Sequence, residues 1–569
     1  MSFFRSSPAA CGAERARGPG RRALLALAVQ AALFGGPVLA ADTAWTGGAA
    51  QPYWDLAGNW SAGAPTGAAT RALLGAADTT LRSGAYEAAQ VTGTGTLNLT
   101  GGSLRLHAAG STLGRLHLAG GAINGGGQLA VQTLDWAKGD LLGNTQLVVK
   151  GSTRISGEAD HYLDYGASLT LQGDTHLDAG NRSVGLFGKL TLAQGAVFHD
   201  EATQRDRSLT TFAGFQFDGH YRKTGNATTR IGVGSMASFQ NNGVFEVQQG
   251  KVHFDSMQTD AGWENNGLLK VHQGAAVTVQ LQEPGSFVNR GQLQVDGQMA
   301  LETWEKAFRS AGTVRVGKTG EFKVSSGYVE EPTWFDQGLH NDGKVVLTGI
   351  PQSDTRPFEP QGTFYLSGPG LTGTGTTVLQ DAYVAAGDLR NDGTVKVVGA
   401  SELHVNTFVQ DSADAAFWLQ GGSAEADRFS FLQGEVGAGD EGLVSGGALI
   451  GELVFGDATL AVDLAGGDAD QLFVTGSVLL DGTLALNFLD TPTLGTFRLL
   501  EVDGSLSGSF ATVLSNLDPS LYRYTLSYGT GSLDLTVAAV PEPETYALIG
   551  LGLVAVMGWS RRRAARRST

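Results

Sequence analysis

The sequence predicts an all-β chain: a right-handed parallel β-helix (solenoid) with an N-terminal cap, followed by a single C-terminal transmembrane helix. Three observations carry that reading. Turn dipeptides followed by alternating runs recur through the middle of the chain. Glycine is abundant, at 83 of 569 residues, while proline, at 15, is not. A charge-free apolar stretch stands just ahead of a terminal arginine cluster.

Residues 1–40 read as a signal peptide. Arg15, Arg17, Arg21 and Arg22 precede the apolar run 23–33, and Val38-Leu39-Ala40 offers a signal-peptidase site, with cleavage after Ala40. The single cysteine, Cys11, lies in that leader, so the mature chain is expected to have no disulfide and no thiolate chemistry. The five Arg and one Glu of residues 1–40, with the five Arg and two Glu of residues 541–569, mask a body of net charge −23. An acidic body argues against nucleic acid as a partner and favours solubility and repulsion between copies. No cofactor is predicted; Ca²⁺ is the one cation the acidity would suit.

Residues 41–95 form the expected cap. They hold Trp45-Thr46-Gly47-Gly48, Trp54, Asn59-Trp60-Ser61 and Gly63-Ala64-Pro65. Three tryptophans so close together either plug the open end of a solenoid or stack on a sugar. The pattern resembles the opening of autotransporter-like and PEP-CTERM β-solenoid proteins.

Residues 96–432 carry the repeats. Asn242-Gly243 leads into VFEVQQGKVHF, Asn266-Gly267 into LLKVHQGAAVTV and Arg290-Gly291 into QLQVDGQMAL, 24 residues apart. Ala311-Gly312, Asp342-Gly343 and Asp392-Gly393 open similar runs. The dipeptide is expected to supply the positive φ of a tight turn, with period-two alternation after it. One unit cannot bury its apolar face alone, whereas stacked units can, each adding strands at about 4.8 Å. About fourteen rungs, or roughly 65 Å of solenoid, are expected. A series of β-sandwich domains would show the same alternation and is the alternative.

Residues 433–540 are β-rich with longer apolar alternation. Asp470-Gln471-Leu472, Gly476, Leu480-Asp481-Gly482-Thr483-Leu484 and Gly508-Ser509-Phe510 resemble the last passenger rungs of autotransporters. Too few residues follow Phe510 for the outer-membrane barrel those proteins carry, so self-export is not expected.

Residues 541–569 form the tail. The prolines of Pro541-Glu542-Pro543 hold the chain extended, so neither strand nor helix is expected to pass through. A helix is predicted over 546–559, reading YALIGLGLVAVMGW, and Arg561, Arg562, Arg563, Arg566 and Arg567 follow it. The apolar stretch partitions into lipid, and the guanidinium groups stay with the anionic cytoplasmic leaflet as a membrane stop. Such a helix covers roughly 20 Å of a ~30 Å hydrocarbon core, leaving snorkelling and local thinning to complete the span. An ordinary tail anchor shares these features.

Pro541-Glu542-Pro543, the glycine-spaced apolar helix and the arginine terminus resemble the PEP-CTERM sorting signal of Gram-negative bacteria that make exopolysaccharide. The resemblance covers the tail alone. It implies recognition and processing by an exosortase during export, transient anchoring in the inner membrane, and a final place on the cell surface or outside the cell.

Chemistry is sparse. The sequence has no nucleophile elbow, no HExxH and no phosphate-cradling loop, and no catalytic, cofactor or metal residue is assigned. His107, His117, His253, His272 and His404 fall in alternating strands and are expected on the solvent face. Asp468-Ala469-Asp470 is similar to one calcium-binding repeat, but a lone copy reads more simply as a turn. A polysaccharide lyase or hydrolase is the rival function, its carboxylates drawn from Gly157-Glu158-Ala159-Asp160-His161 or His199-Asp200-Glu201. A carbohydrate- or ice-binding module would need threonine ladders, which are not evident. The expected function is a non-enzymatic structural or adhesive surface protein in a biofilm or exopolysaccharide setting.

Overall fold

A computed structural model describes residues 42–540 and 543–565, apart from segments at 158–160, 179–182, 202, 204–205, 235–236, 257–261, 282–285, 304–307, 327–331, 350–361 and 441. Ala40 and the rest of the leader, Glu158, Asp160, Pro541, Glu542, Arg566 and Arg567 lie outside the described residues.

The body is a parallel β-solenoid of about 16 turns. Through most of its length each strand pairs with the third strand along, so each turn gives one strand to each of three sheets. Leu268–Val271 lies between Val244–Val247 and Gln292–Val295, parallel and in register at steps of 24 residues. That register puts like residues over like. Phe245 and Val247, then Leu269 and Val271, then Leu293 and Val295 fill the interior, while the residues between them face outward. Rings stack along the axis in the same way, with Tyr221 and Phe245 4.3 Å apart and 8° from parallel.

Parallel pairing passes from Thr79–Leu81 to Thr96–Leu99, and again, with a register shift between Glu425 and Arg428, from Ser423–Phe431 to Gly446–Phe455. In the first turn Trp54 and Trp60 are 0% and 5% exposed. Their rings meet edge-on at 4.8 Å, and Trp60 Nε1 donates to the Trp54 carbonyl at 2.9 Å. With those faces occupied, the two side chains close the first layer of the core and offer no platform to a sugar.

The Asn-Gly dipeptides have a different cause from the one expected. Gly243, Gly267, Gly291 and Gly312 do not adopt positive φ. A Cβ on each would stand 1.9–2.0 Å from the carbonyl oxygen of the glycine one turn earlier, namely Gly219, Gly243, Gly267 and Gly291. The corner is closed to side chains by contact between turns, so the position is glycine for steric reasons.

Stacking ends at Thr512–Ser515. Tyr522–Tyr528 and Ser532–Ala539 then pair antiparallel, and the latter also pairs antiparallel with Gly495–Val502. The single α-helix among the described residues, Pro543–Ala565, is longer at both ends than predicted. It opens at Pro543 because proline's missing N–H is no loss in a first turn and its φ is already helical. The predicted single C-terminal helix is present, and no helix among the described residues is long and apolar enough to cross a membrane. The physical reason is the short charge-free run, 546–559, which ends at Arg561.

Candidate functional site

Of the polysaccharide-enzyme candidates, Glu158 and Asp160 lie outside the described residues, and the described ones fall on different faces. Strand alternation turns His199 outward and Asp200 inward, and Glu201 is exposed just beyond the strand. His199 stacks on His176 at 4.5 Å, and His176 in turn lies 3.5 Å from Glu201. His161 is buried, its Nε2 2.9 Å from the Trp136 carbonyl oxygen.

Asp200 anchors a buried polar cluster that sequence reasoning missed. Arg207 and Lys223, both fully buried, approach its two oxygens at 3.5 and 3.6 Å. Tyr221 Oη and Thr229 Oγ1 donate to Oδ2 at 2.7 and 2.5 Å. Burial pushes the Lys223 ammonium below the usual lysine range against the pull of Asp200, and Arg207 adds to the push. Burial, with Asp200 beside it, holds the Tyr221 hydroxyl well above the usual tyrosine range. The available signal was parity: Asp200 and Lys223 occupy inward positions of alternating strands.

Asp468 and Ala469 are not the turn but the short strand that follows it, the turn being Gly466-Gly467, and Asp470 after them carries one buried carboxylate. Ala465 and Asp468 pair antiparallel, Asp468 is exposed, and Asp470 accepts from the N–H groups of Ser445 and Asp463 at 2.7 and 2.9 Å. No group of three or more potential metal ligands occurs among the described residues.

The outer face is an ion-paired ladder. His107 is exposed and His117, His253, His272 and His404 are half-buried, all facing outward. Glu246 lies between turns, 2.9 Å from His220 Nε2 and 2.6 Å from His272 Nε2. Burial raises its carboxyl, but hydrogen bonds from His272, Gln248 and His220 outweigh that and leave it below the usual carboxylate range. A groove of about 440 Å³ crosses successive turns near the start of the solenoid, lined by Asp78, Asn98, Arg115, His117, Asp135 and Arg154. Asp135 pairs with Arg115, and Arg154 with Asp178 at 2.7 Å. Such a groove can meet the hydroxyls of a polymer.

The tail has different physics. From Leu548 to Trp559 the large apolar side chains stand exposed, Leu548 at 69% and Trp559 at 62%, so the helix covers none of its own apolar surface. Arg561, Arg562 and Arg563 are exposed, and the Arg563 guanidinium lies 4.3 Å from the Trp559 ring centre. An apolar helix with an arginine end has the form of a signal read at a membrane.

Residues 539–563 match the PEP-CTERM protein-sorting motif. The PEP-CTERM match spans Pro541, Glu542, Pro543 and Arg561 to Arg563, and leaves Arg566 and Arg567 beyond it. No curated protein matches the chain. The PEP-CTERM signal implies an exported protein, sorted at the membrane and processed by an exosortase during export, with a β-solenoid as its cargo.

Proposed function

We propose that the protein is a non-enzymatic structural or adhesive component of the cell surface or extracellular matrix, acting in a biofilm or exopolysaccharide setting. One observation carries this reading: a stack of about 16 turns precedes the sorting motif. Each turn repeats an outward polar row, so a polymer lying along the solenoid meets similar weak contacts turn after turn. Their avidity adds without any single strong site. Signal peptidase would cut after Ala40, and the apolar helix with its arginines would hold the chain transiently at the inner membrane. Its final location would be the surface or the medium.

The test compares biofilm and floc formation with and without the gene, together with co-sedimentation of the purified body and the producer's own exopolysaccharide. Reduced biofilm and co-sedimentation are expected. Equal biofilm in both strains with no co-sedimentation overturns the reading. The groove at Arg115 and Asp135 is the feature that favours a second, enzymatic reading. Oligosaccharide released from that polymer by the purified body would establish it in place of the first.

A further inference from the structure

Asp200 and Lys223 face each other inside the solenoid on consecutive turns, as register partners of one parallel ladder. Both side chains are fully buried, with Nζ 3.6 Å from Oδ2. Lys223 Nζ has no hydrogen-bond acceptor among the described residues. Three further groups are aimed at the carboxyl. Tyr221 and Thr229 hydroxyls hold Oδ2 at 2.7 and 2.5 Å, and Arg207 Nε stands 3.5 Å from Oδ1. Tyr221 is sandwiched between Phe198 at 5.6 Å and Phe245 at 4.3 Å, which gives the cluster an apolar wall.

We propose that Lys223 and Asp200 condense to an intramolecular isopeptide bond that joins two turns of the solenoid. Nζ, as the free amine, attacks Cγ of Asp200. Negative charge develops on Oδ1 beside the Arg207 guanidinium. Nitrogen sheds two protons in all, one as the Lys223 ammonium gives up its charge and one after the attack; both reach Oδ2 through the Tyr221 and Thr229 hydroxyls, and Oδ2 departs as water. The Nζ–Cγ bond forms, the Cγ–Oδ2 bond breaks, one water is released, and nothing is oxidised or reduced.

The site meets what this condensation needs. Burial lowers the proton affinity of Lys223, so the free amine that attacks is reached more easily than on an exposed lysine. Fixed juxtaposition replaces a bimolecular encounter, with effective concentrations on the order of 10⁵ M or more for well-oriented groups. The product removes two opposite charges from an interior where ionised groups are costly. It also supplies a covalent tie to a body that has no cysteine after residue 11.

Peptide mapping of the full-length or naturally processed protein decides the matter. Acylated Lys223 resists trypsin, so residues 223–230 should appear as a branch on residues 190–205, lighter than the two peptides together by one water. Asp200→Asn should give the same branch with loss of ammonia, and Lys223→Arg should abolish it. Quantitative recovery of linear 190–205 and 224–230 from the folded protein overturns the proposal and leaves a buried ion pair. The wild-type map is decisive even where a variant fails to fold.

Discussion

Gly267 sits directly over Gly243: a Cβ on Gly267 would come within 2.0 Å of the Gly243 carbonyl oxygen. Gly291 repeats the contact on Gly267, so the corner is a column of glycines whose backbones touch. Gly267→Ala must push two turns apart, and a loss of about 2–3 kcal/mol is expected. Gly262→Ala is the control, because nothing lies within 4 Å of its added Cβ. Denaturant unfolding of both variants checks this. Equal midpoints would mean that the corner relaxes freely.

Beside that column runs a ladder of buried amides. Asn241 Nδ2 donates to Asn265 Oδ1 at 2.6 Å, Asn265 to Asn289 at 2.7 Å, and Asn289 to Ser310 Oγ at 2.8 Å. Each amide also donates to a backbone carbonyl, Asn265 to Gln292 at 3.0 Å. Asn265→Leu strands the Asn289 and Gln292 acceptors in the interior, and destabilisation of about 2–4 kcal/mol is expected. Asn242→Ala lies on the exposed counterpart of this ladder, where Asn266 donates to Asn242 at 2.8 Å, and should cost less than about 1 kcal/mol. A comparable loss for the two substitutions would contradict the distinction between inner and outer ladders.

The solenoid was legible because its rule is simple: period-two alternation combined with a 24-residue repeat forces like residues to stack. The dipeptide Asn-Gly was legible as a corner, but its cause was not. Positive φ and close contact between turns both select glycine, and only the neighbouring turn distinguishes them. The tail was legible through the order of its proline, apolar and arginine segments. The cluster around Asp200 was missed because Asp200, Arg207 and Lys223 come from different strands and read locally as surface charges. Their inward parity was visible in VFHD and HYRK, but which charges share an interior layer depends on register.

On the proposed reading, Pro541 and Glu542 serve recognition and the arginines serve retention. Replacing Pro541 and Glu542 by alanine should abolish processing while Arg561 to Arg563 still hold the precursor at the membrane. Replacing the three arginines by glutamine should weaken retention and send chains with uncut tails past the membrane. Intact mass of membrane and medium fractions, with and without the exosortase gene, reads both effects. Tail loss near Pro541 that persists without that gene would contradict exosortase processing, and an uncut chain in the membrane in both strains would mean a plain tail anchor.

Asp470 makes stability depend on pH in the less common direction. Burial pushes its carboxyl up to about 6, against hydrogen bonds from the Asp463 and Ser445 backbone, and the Asp463 carboxylate adds to the rise. The folded value exceeds the ordinary 3.8, so the folded chain binds this proton more readily than the unfolded chain. The contribution is therefore fully stabilising below the ordinary value and is lost as pH rises through about 6. At about 1.4 kcal/mol per pH unit the gap corresponds to roughly 3 kcal/mol. Asp470→Asn removes the titration, so the wild type should gain on the variant by about 1–2 kcal/mol between about pH 7.5 and about pH 5. Urea unfolding of both proteins at the two pH values measures the difference. Parallel changes in the two proteins would mean that Asp470 stays ionised in the fold, its backbone donors outweighing burial.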